Sequence, residues 1–221
     1  MRLRNWFGLL IGLGWMLTAC GRAPETPPPA AEFETIMLEN FDNENNLWQE
    51  IDVDKKGEAG YAGGKYRMQA TETNTFLFSY PVTPATNSLR DISLQVEAEF
   101  DEGATNNLYG VICRYLNQEN FYFLMISSDG YFGIGKVIDG KYQLINRSDY
   151  PPSDAIITGE KTNRIRADCV GSTLTLYVNE QWVDSQEDTD LKTGKVGLIT
   201  GTLGGQTTIL FDAFEIRGLK P

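Results

Sequence analysis

Histidine is absent from all 221 residues. That absence removes His-based catalytic triads and the commonest zinc sites. A basic run is also missing. The formal net charge is −11, and without residues 1–19, which hold Arg2 and Arg4, 17 basic residues face 30 acidic ones. A nucleic-acid binder would carry a basic stripe, so no nucleic-acid partner is expected. No apolar run reaches the roughly 20 residues needed to span a bilayer comfortably. After Phe33 there is no second linker, no low-complexity tract, no convincing repeat and no long segment of clean 3.6-residue periodicity. With 41% hydrophobic and 22% charged residues the composition is ordinary for a globular chain. A single all-β domain fits this length.

What is present begins with an address. Arg2 and Arg4 precede an apolar run from Trp6 to Leu17, twelve residues long, the length of a secretory h-region. Leu17-Thr18-Ala19-Cys20-Gly21 then resembles the bacterial lipoprotein signal, in which the cysteine receives lipid and becomes the new N-terminus. This implies a signal peptide over 1–19, a lipid anchor at Cys20, export, and a domain facing outside the cytoplasm. The competing reading is an ordinary export signal, or an N-terminal anchor, with a chance cysteine. Gly21, in place of Asp, permits outer-membrane sorting in a two-membrane cell; in a single-membrane cell the anchor is the cell membrane. The segment "GRAPETPPPAAE" follows, with four prolines in twelve residues. It is expected to be extended and stiff, reaching roughly 35 Å at about 3.1 Å per residue. The linker occupies 20–32 and the domain 33–221.

Within the domain, period-2 alternation recurs. Ile92, Leu94, Val96, Ala98 and Phe100 share one face of their segment. Ile165, Ala167 and Cys169 do so in another, and Leu174, Leu176 and Val178 in a third. This is the pattern of half-buried antiparallel strands. Asp129-Gly130 and Asp139-Gly140 signal two-residue hairpins, and Asn179-Glu180 closes another. Further strands are expected near 36–41, 47–51, 64–69, 75–80, 196–201 and 207–217. Many short strands at regular spacing indicate a β-sandwich.

The stretches "YGVICRYLNQENFYFLMISSDGYFGIGKVIDGKYQLI", "TNRIRADCVGSTLTLYVNEQWV", "GKVGLITG" and "ILFDAFEI", in that order, resemble bacterial domains of the concanavalin A-like lectin/glucanase fold. Within that fold they resemble the 3-keto-disaccharide hydrolase-like or glycoside hydrolase family 16-like branch. The resemblance covers about 35–217 and implies an antiparallel jelly-roll β-sandwich. It leaves activity open, because one fold hosts many functions.

Glu97, Glu99 and Glu102 resemble the spaced acidic motif of family 16 glucanases, where a close carboxylate pair does the chemistry. Glu99 stands where the motif has Asp, and the flanks differ, so a solvated acidic face is the simpler reading. Cys113 and Cys169 form either a disulfide, favoured by export, or two buried thiols; neither is expected to be catalytic without histidine. Two-residue turns at both Asp-Gly pairs, with Arg114 opposite Tyr122, would gather Gly110, Ile112, Arg114, Tyr122, Leu124, Tyr131, Gly133, Gly135, Val137 and Tyr142 on one face. Such a face would seat a sugar by ring stacking and an arginine fork, unless a loop covers it. Gly133-Ile134-Gly135 lies in a hairpin with no helix after it, so it fails as a phosphate loop. Asp42 and Asp212 would hold a structural calcium if the chain ends meet; otherwise they are turn and strand-end residues. Trp48 and Trp182 are either sugar platforms or core.

Three functions remain. The first is a lipid-anchored, non-catalytic module for carbohydrate or another envelope component, without a cofactor. The second is a structural or protein-interaction subunit of a surface assembly. The third is a carboxylate-dependent glycosidase or keto-sugar hydrolase.

Overall fold

The computed structural model describes residues 26–44, 47–53 and 55–220. The signal segment and Cys20 lie outside the described residues. In chain order the strands are β1 (Phe33–Glu39), β2 (Ile51–Val53), β3 (Gly57–Ala62), β4 (Lys65–Ala70), β5 (Thr75–Ser79), β6 (Ile92–Gly103), β7 (Asn107–Asn117) and β8 (Asn120–Ile126). Then come β9 (Phe132–Ile138), β10 (Lys141–Leu144), β11 (Thr162–Val170), β12 (Thr173–Val178), β13 (Gln181–Glu187), β14 (Lys195–Thr202) and β15 (Thr207–Leu219). A single 3-10 turn, Pro84–Thr86, is the one helical element among the described residues.

The strands form two antiparallel sheets. The larger runs β13-β12-β11-β6-β15-β4-β3-β2, and the smaller β10-β9-β8-β7-β14-β5. On its side away from β6, β15 pairs first with β4, along Thr207–Phe211, and then with β1, along Phe214–Leu219. The change of partner falls at a bulge where Ala213 takes φ 48°. The alternation read from the sequence is the packing. Leu94, Val96, Ile165, Ala167, Leu174 and Leu176 from the larger sheet meet Tyr109, Val111, Tyr122, Leu124 and Leu198 from the smaller, all fully buried. Cys113 of β7 and Cys169 of β11 are joined by a disulfide, with Cα atoms 6.9 Å apart, so one covalent bond ties the two sheets together. Trp48 is core, 2% exposed, against Phe41, Tyr66 and Phe214.

The hairpin signals divide. Asp139-Gly140 and Asn179-Glu180 are two-residue turns with positive φ at both positions, as the type I′ geometry demands. Asp129-Gly130 is instead part of a five-residue loop. The Ser127 hydroxyl accepts from the Tyr131 amide at 2.9 Å, the Ser127 amide donates to the Tyr131 carbonyl, and pairing starts only at Ile126 with Phe132. The register is one residue from that of a two-residue turn, and one residue exchanges the two faces of a strand.

The described part of the linker lies beside the larger sheet. Pro27–Ala31 line a cleft on the outer face of the larger sheet with Phe33, Arg166, Asp168, Tyr177 and Arg217. Proline rings there have apolar surface to rest on, and Arg166 already lies 3.6 Å over the Tyr177 ring.

Replacing both Cys113 and Cys169 by Ala removes the tie between sheets and should cost about 2–5 kcal/mol, read by urea unfolding. A melting midpoint unmoved by reductant in the parent protein would contradict a stabilising role for this bond.

Candidate functional site

The one-residue difference in the 127–131 loop decides which side chains reach the open side of the smaller sheet. Tyr122 pairs with Cys113 and Lys136, not with Arg114 and Val137. Tyr122 and Leu124 therefore face the core. Phe121, Phe123 and Met125 face outward, with Ile112, Gly133, Gly135 and Val137.

That outward face is filled by its own rings. Phe76 of β5 and Tyr142 of β10 come from opposite margins of the sheet, which six flat strands would hold about 24 Å apart. Their centroids are 5.3 Å apart and nearly parallel, and Phe123 covers the other side of Tyr142 at 4.4 Å. The margins must curl toward each other. Glycine makes room: a Cβ on Gly135 would lie 2.0 Å from Phe123 Cζ, and one on Gly201 would lie 2.4 Å from Phe76 Cδ1. The Tyr142 hydroxyl meets that of Tyr150 at 2.7 Å. Tyr142 is 38% exposed, but both flat faces of its ring are taken.

Arg114 has gone elsewhere. On one side, pairing of β7 with β14 places Cys113 and Arg114 opposite Val196 alone. Arg114 has φ 51°, a left-handed value that is uncommon for a residue with a side chain. This bulge turns Arg114 inward beside Cys113, where it is 2% exposed. Its guanidinium donates to the carbonyls of Leu191 (2.9 Å) and Gly171 (2.7 Å), stands 4.0 Å from Asp91 and lies 5.8 Å from the Tyr122 ring centre. Its Nε is buried without a partner. Burial lowers the Arg114 pKa from its usual value, against the opposing effects of Tyr122 and Asp91; the group stays charged at neutral pH.

Arg114 floors a cavity of about 280 Å³, whose walls come from Arg90, the Gly171-Ser172 turn between β11 and β12, and the segment Thr189–Lys192. The last of these is pinned from below. The Tyr122 hydroxyl accepts from the Leu191 amide at 3.0 Å and donates to Asp188 at 2.6 Å, and Lys136 bridges Asp188 and Asp190. Gly194 lets this segment close on the bulge, since a Cβ there would lie 2.5 Å from the Arg114 carbonyl carbon.

Of the five residues expected to bind ligand, the structure brings two together. Arg114 lines the cavity, and Tyr122 supports its wall from the core. Tyr142 lies opposite Val137, six residues or about 20 Å along the strand direction from Tyr131; Tyr131 bridges to Pro152, and Tyr142 belongs to the ring stack. Trp182 sits on β13 with its indole N–H given to Ser185. Arg90, Ser172 and Lys192 were not singled out, because loop residues carry no periodic signal. Glu97 and Glu99 are ion-paired with Arg164 (2.7 Å) and Lys65 (2.5 Å), and Glu102 accepts from Thr208. Asp42 lies by the β3–β4 turn and Asp212 caps the Ala213 amide in the β15 bulge. Among the described residues no three metal-ligating side chains converge.

The lining offers an arginine floor, two further cations and hydroxyls, but no carboxylate. Such a set can hold a ligand; it lacks the carboxylate pair of a glycosidase.

No protein-family profile matches the chain, and no curated protein does. Solved structures do. The carbohydrate-binding module CBM66 from Bacillus subtilis aligns at 14% identity over 78% of this chain and 96% of that one, with TM-score 0.61. The catalytic domain of an endo-1,3-beta-glucanase (laminarinase) from Thermotoga petrophila aligns at 7% identity, over 87% and 100%, with TM-score 0.60. The chain has the jelly-roll β-sandwich fold of these proteins. The GH43 protein BlXynB from Bacillus licheniformis aligns at 15% identity with TM-score 0.58; 88% of this jelly-roll chain is covered, but only 41% of the GH43 protein. At these identities the likeness is one of fold.

Asp188 gives the site a pH dependence. Burial alone would raise its pKa, but hydrogen bonds from Lys136, Tyr122 and the Asp190 amide outweigh it and hold the carboxyl below its usual value. A carboxyl depressed in the folded state stabilises it above the unfolded pKa, about 3.9, and loses that contribution as pH falls through the folded value. Below about pH 4 the 188–192 segment should loosen, seen as faster hydrogen exchange at the Leu191 amide. Asp188→Asn should flatten this part of the stability–pH curve; an unchanged acid limb would refute the assignment.

Proposed function

We propose that this jelly roll is an exported, lipid-anchored, non-catalytic module that binds carbohydrate in the cavity above Arg114. The observation that carries the reading is Arg114 itself. An arginine is placed in a left-handed bulge, and its fork is fixed by two carbonyls beneath a cavity. Backbone strain of that kind persists where surrounding structure over-determines it, and it clusters at binding sites. At about 280 Å³ the space is slightly below the roughly 300–1,000 Å³ of drug-sized sites, so it suits one sugar ring at a chain end or branch. The fold likeness to a carbohydrate-binding module and to glycosidases supports the ligand class. The engagement of Glu97 and Glu99 in ion pairs supports binding without hydrolysis. Export is supported by the signal-like N-terminus and by the intersheet disulfide, since such bonds persist in oxidising compartments.

A second reading is favoured by the ring stack. Phe76, Tyr80, Tyr142 and Tyr150 leave half-exposed edges on one curved face, which a partner protein of a surface assembly would cover.

Detergent-solubilised full-length protein should bind saturably to at least one member of a broad glycan panel. Thr189→Trp, which fills the cavity from an exposed wall position, should weaken that binding tenfold or more, the equivalent of about 1.4 kcal/mol. Tyr142→Ala should not. Running the panel with calcium and with chelator tests the proposed structural ion at Asp42 and Asp212. Binding to no glycan would sink the reading and turn attention to the ring-stack face. Separately, Cys20→Ala should abolish incorporation of labelled palmitate; continued labelling would remove Cys20 as the lipid site.

A further inference from the structure

The charge around the cavity goes against that of the chain. The protein carries a formal −11, yet the cavity lining holds Arg90, Arg114 and Lys192 and no acidic residue. Four carboxylates lie on neighbouring positions, and each is already engaged. Asp91 accepts the Gly171 amide at 2.7 Å and stands 3.6 Å from Arg90. Glu187 accepts from the hydroxyls of Ser172 and Thr173, both at 3.0 Å. Asp188 is held by Tyr122 and Lys136, and Asp190 by Lys136 at 2.7 Å. Lys192 has no carboxylate within 4.0 Å among the described residues. Arg90 is largely exposed, with Asp91 as its single described ionic neighbour.

The three cations differ in role. Arg114 is fixed and its fork is spent on backbone carbonyls, so it supplies a permanent charge at the floor and leaves little for directional recognition. Arg90 and Lys192 are exposed at the rim, Arg90 with Asp91 at 3.6 Å. Arg90 can meet an oxyanion with two parallel N–H bonds, and Lys192 adds a mobile point charge. One carboxylate, Asp91, answers both Arg90 and Arg114, so a neutral sugar would leave the three cations of the lining with a net positive charge.

Resting on the carbohydrate reading above, we infer that the cavity takes a sugar bearing an anionic substituent, a carboxylate or a sulfate or phosphate ester, with the substituent held between Arg90 and Lys192. The sugar ring then lies over Leu191 and the Gly171-Ser172 turn.

The test uses full-length protein in detergent and isothermal titration with four probes: an oligouronate, the same oligosaccharide with its carboxyls reduced to hydroxymethyl groups, a sulfated oligosaccharide, and inorganic sulfate. The oligouronate or the sulfated sugar should bind at least tenfold more tightly than the reduced one. The preference should fall as salt is raised, because rim charges are screened. Whichever charged sugar wins identifies the substituent. The double variant Arg90→Gln, Lys192→Gln, both at exposed positions, should fold with an unchanged melting temperature and bring the ratio of charged to neutral binding close to one. Equal binding of the reduced and charged sugars would overturn this inference while the carbohydrate reading stood. Binding of no probe, with no hit on a wider panel, would sink both. Inorganic sulfate binding as tightly as the charged sugars would reduce the cavity to a simple anion site and also overturn the inference. So would a charge preference that survives the double variant.

Discussion

At the bulge in β7, two residues answer one, and both point inward. Cys113 crosses to Cys169 on the opposite sheet; Arg114, next in sequence, fills the space beside that bond. An unbroken strand could do one of these but not both, because its neighbours alternate between faces. The bulge thus places a covalent tie and a buried charge at one spot, and the surrounding chain is organised to satisfy the charge. The carbonyls of Gly171 and Leu191 accept from it, and Tyr122 and Asp188 fix the segment that supplies Leu191. Gly194 permits the close approach. The cavity is what remains above this arrangement.

The smaller sheet solves a different problem. Its outer side carries Phe121, Phe123, Met125 and Ile199, apolar residues with no second sheet to cover them. The solution is curvature together with a lid of rings from the two margins, lying over glycine floors. A concave sheet face is commonly a place for a ligand; in this protein the aromatic side chains occupy it themselves. The Arg114 cavity, walled by loops, is a place where space meets cationic groups with no carboxylate in the lining.

Much of the fold was legible because burial and alternation are the same fact seen twice. The segments containing Ile92, Ile165 and Leu174 read as strands with the correct inward faces. The Asp139-Gly140 and Asn179-Glu180 turns carried their own conformational demand. Asp129-Gly130 made the same local demand, but Ser127 offered its hydroxyl to the Tyr131 amide and a wider loop formed. Together with the bulge at Cys113–Arg114, that register leaves Tyr122 facing the core beside Cys113. β3, with two glycines and two alanines, has too little apolar contrast to announce itself. Arg114 was singled out for the wrong neighbours: its left-handed backbone depends on β14 and on Gly194, both distant in sequence. Arg90 and Lys192 lie in connections, where nothing local distinguishes a wall residue from a solvated one.

The position of Pro27–Ala31 beside the outer face of the larger sheet bears on the geometry of attachment. β1 enters beside the last residues of β15, and the Leu219 amide bonds to Asp91, next to the cavity. The chain therefore enters β1 at the cavity's end of the sandwich, coming from the cleft beside Arg166 and Tyr177. Under the proposed lipid anchor at Cys20, the twelve residues from Gly21 to Glu32, roughly 35 Å at PPII spacing, would keep the mouth of the cavity within a short reach of its own anchoring surface. Ligands fixed to that surface are met at high effective concentration, so even a weak single-ring contact would be occupied most of the time, while the same sugar free in solution would seldom be retained.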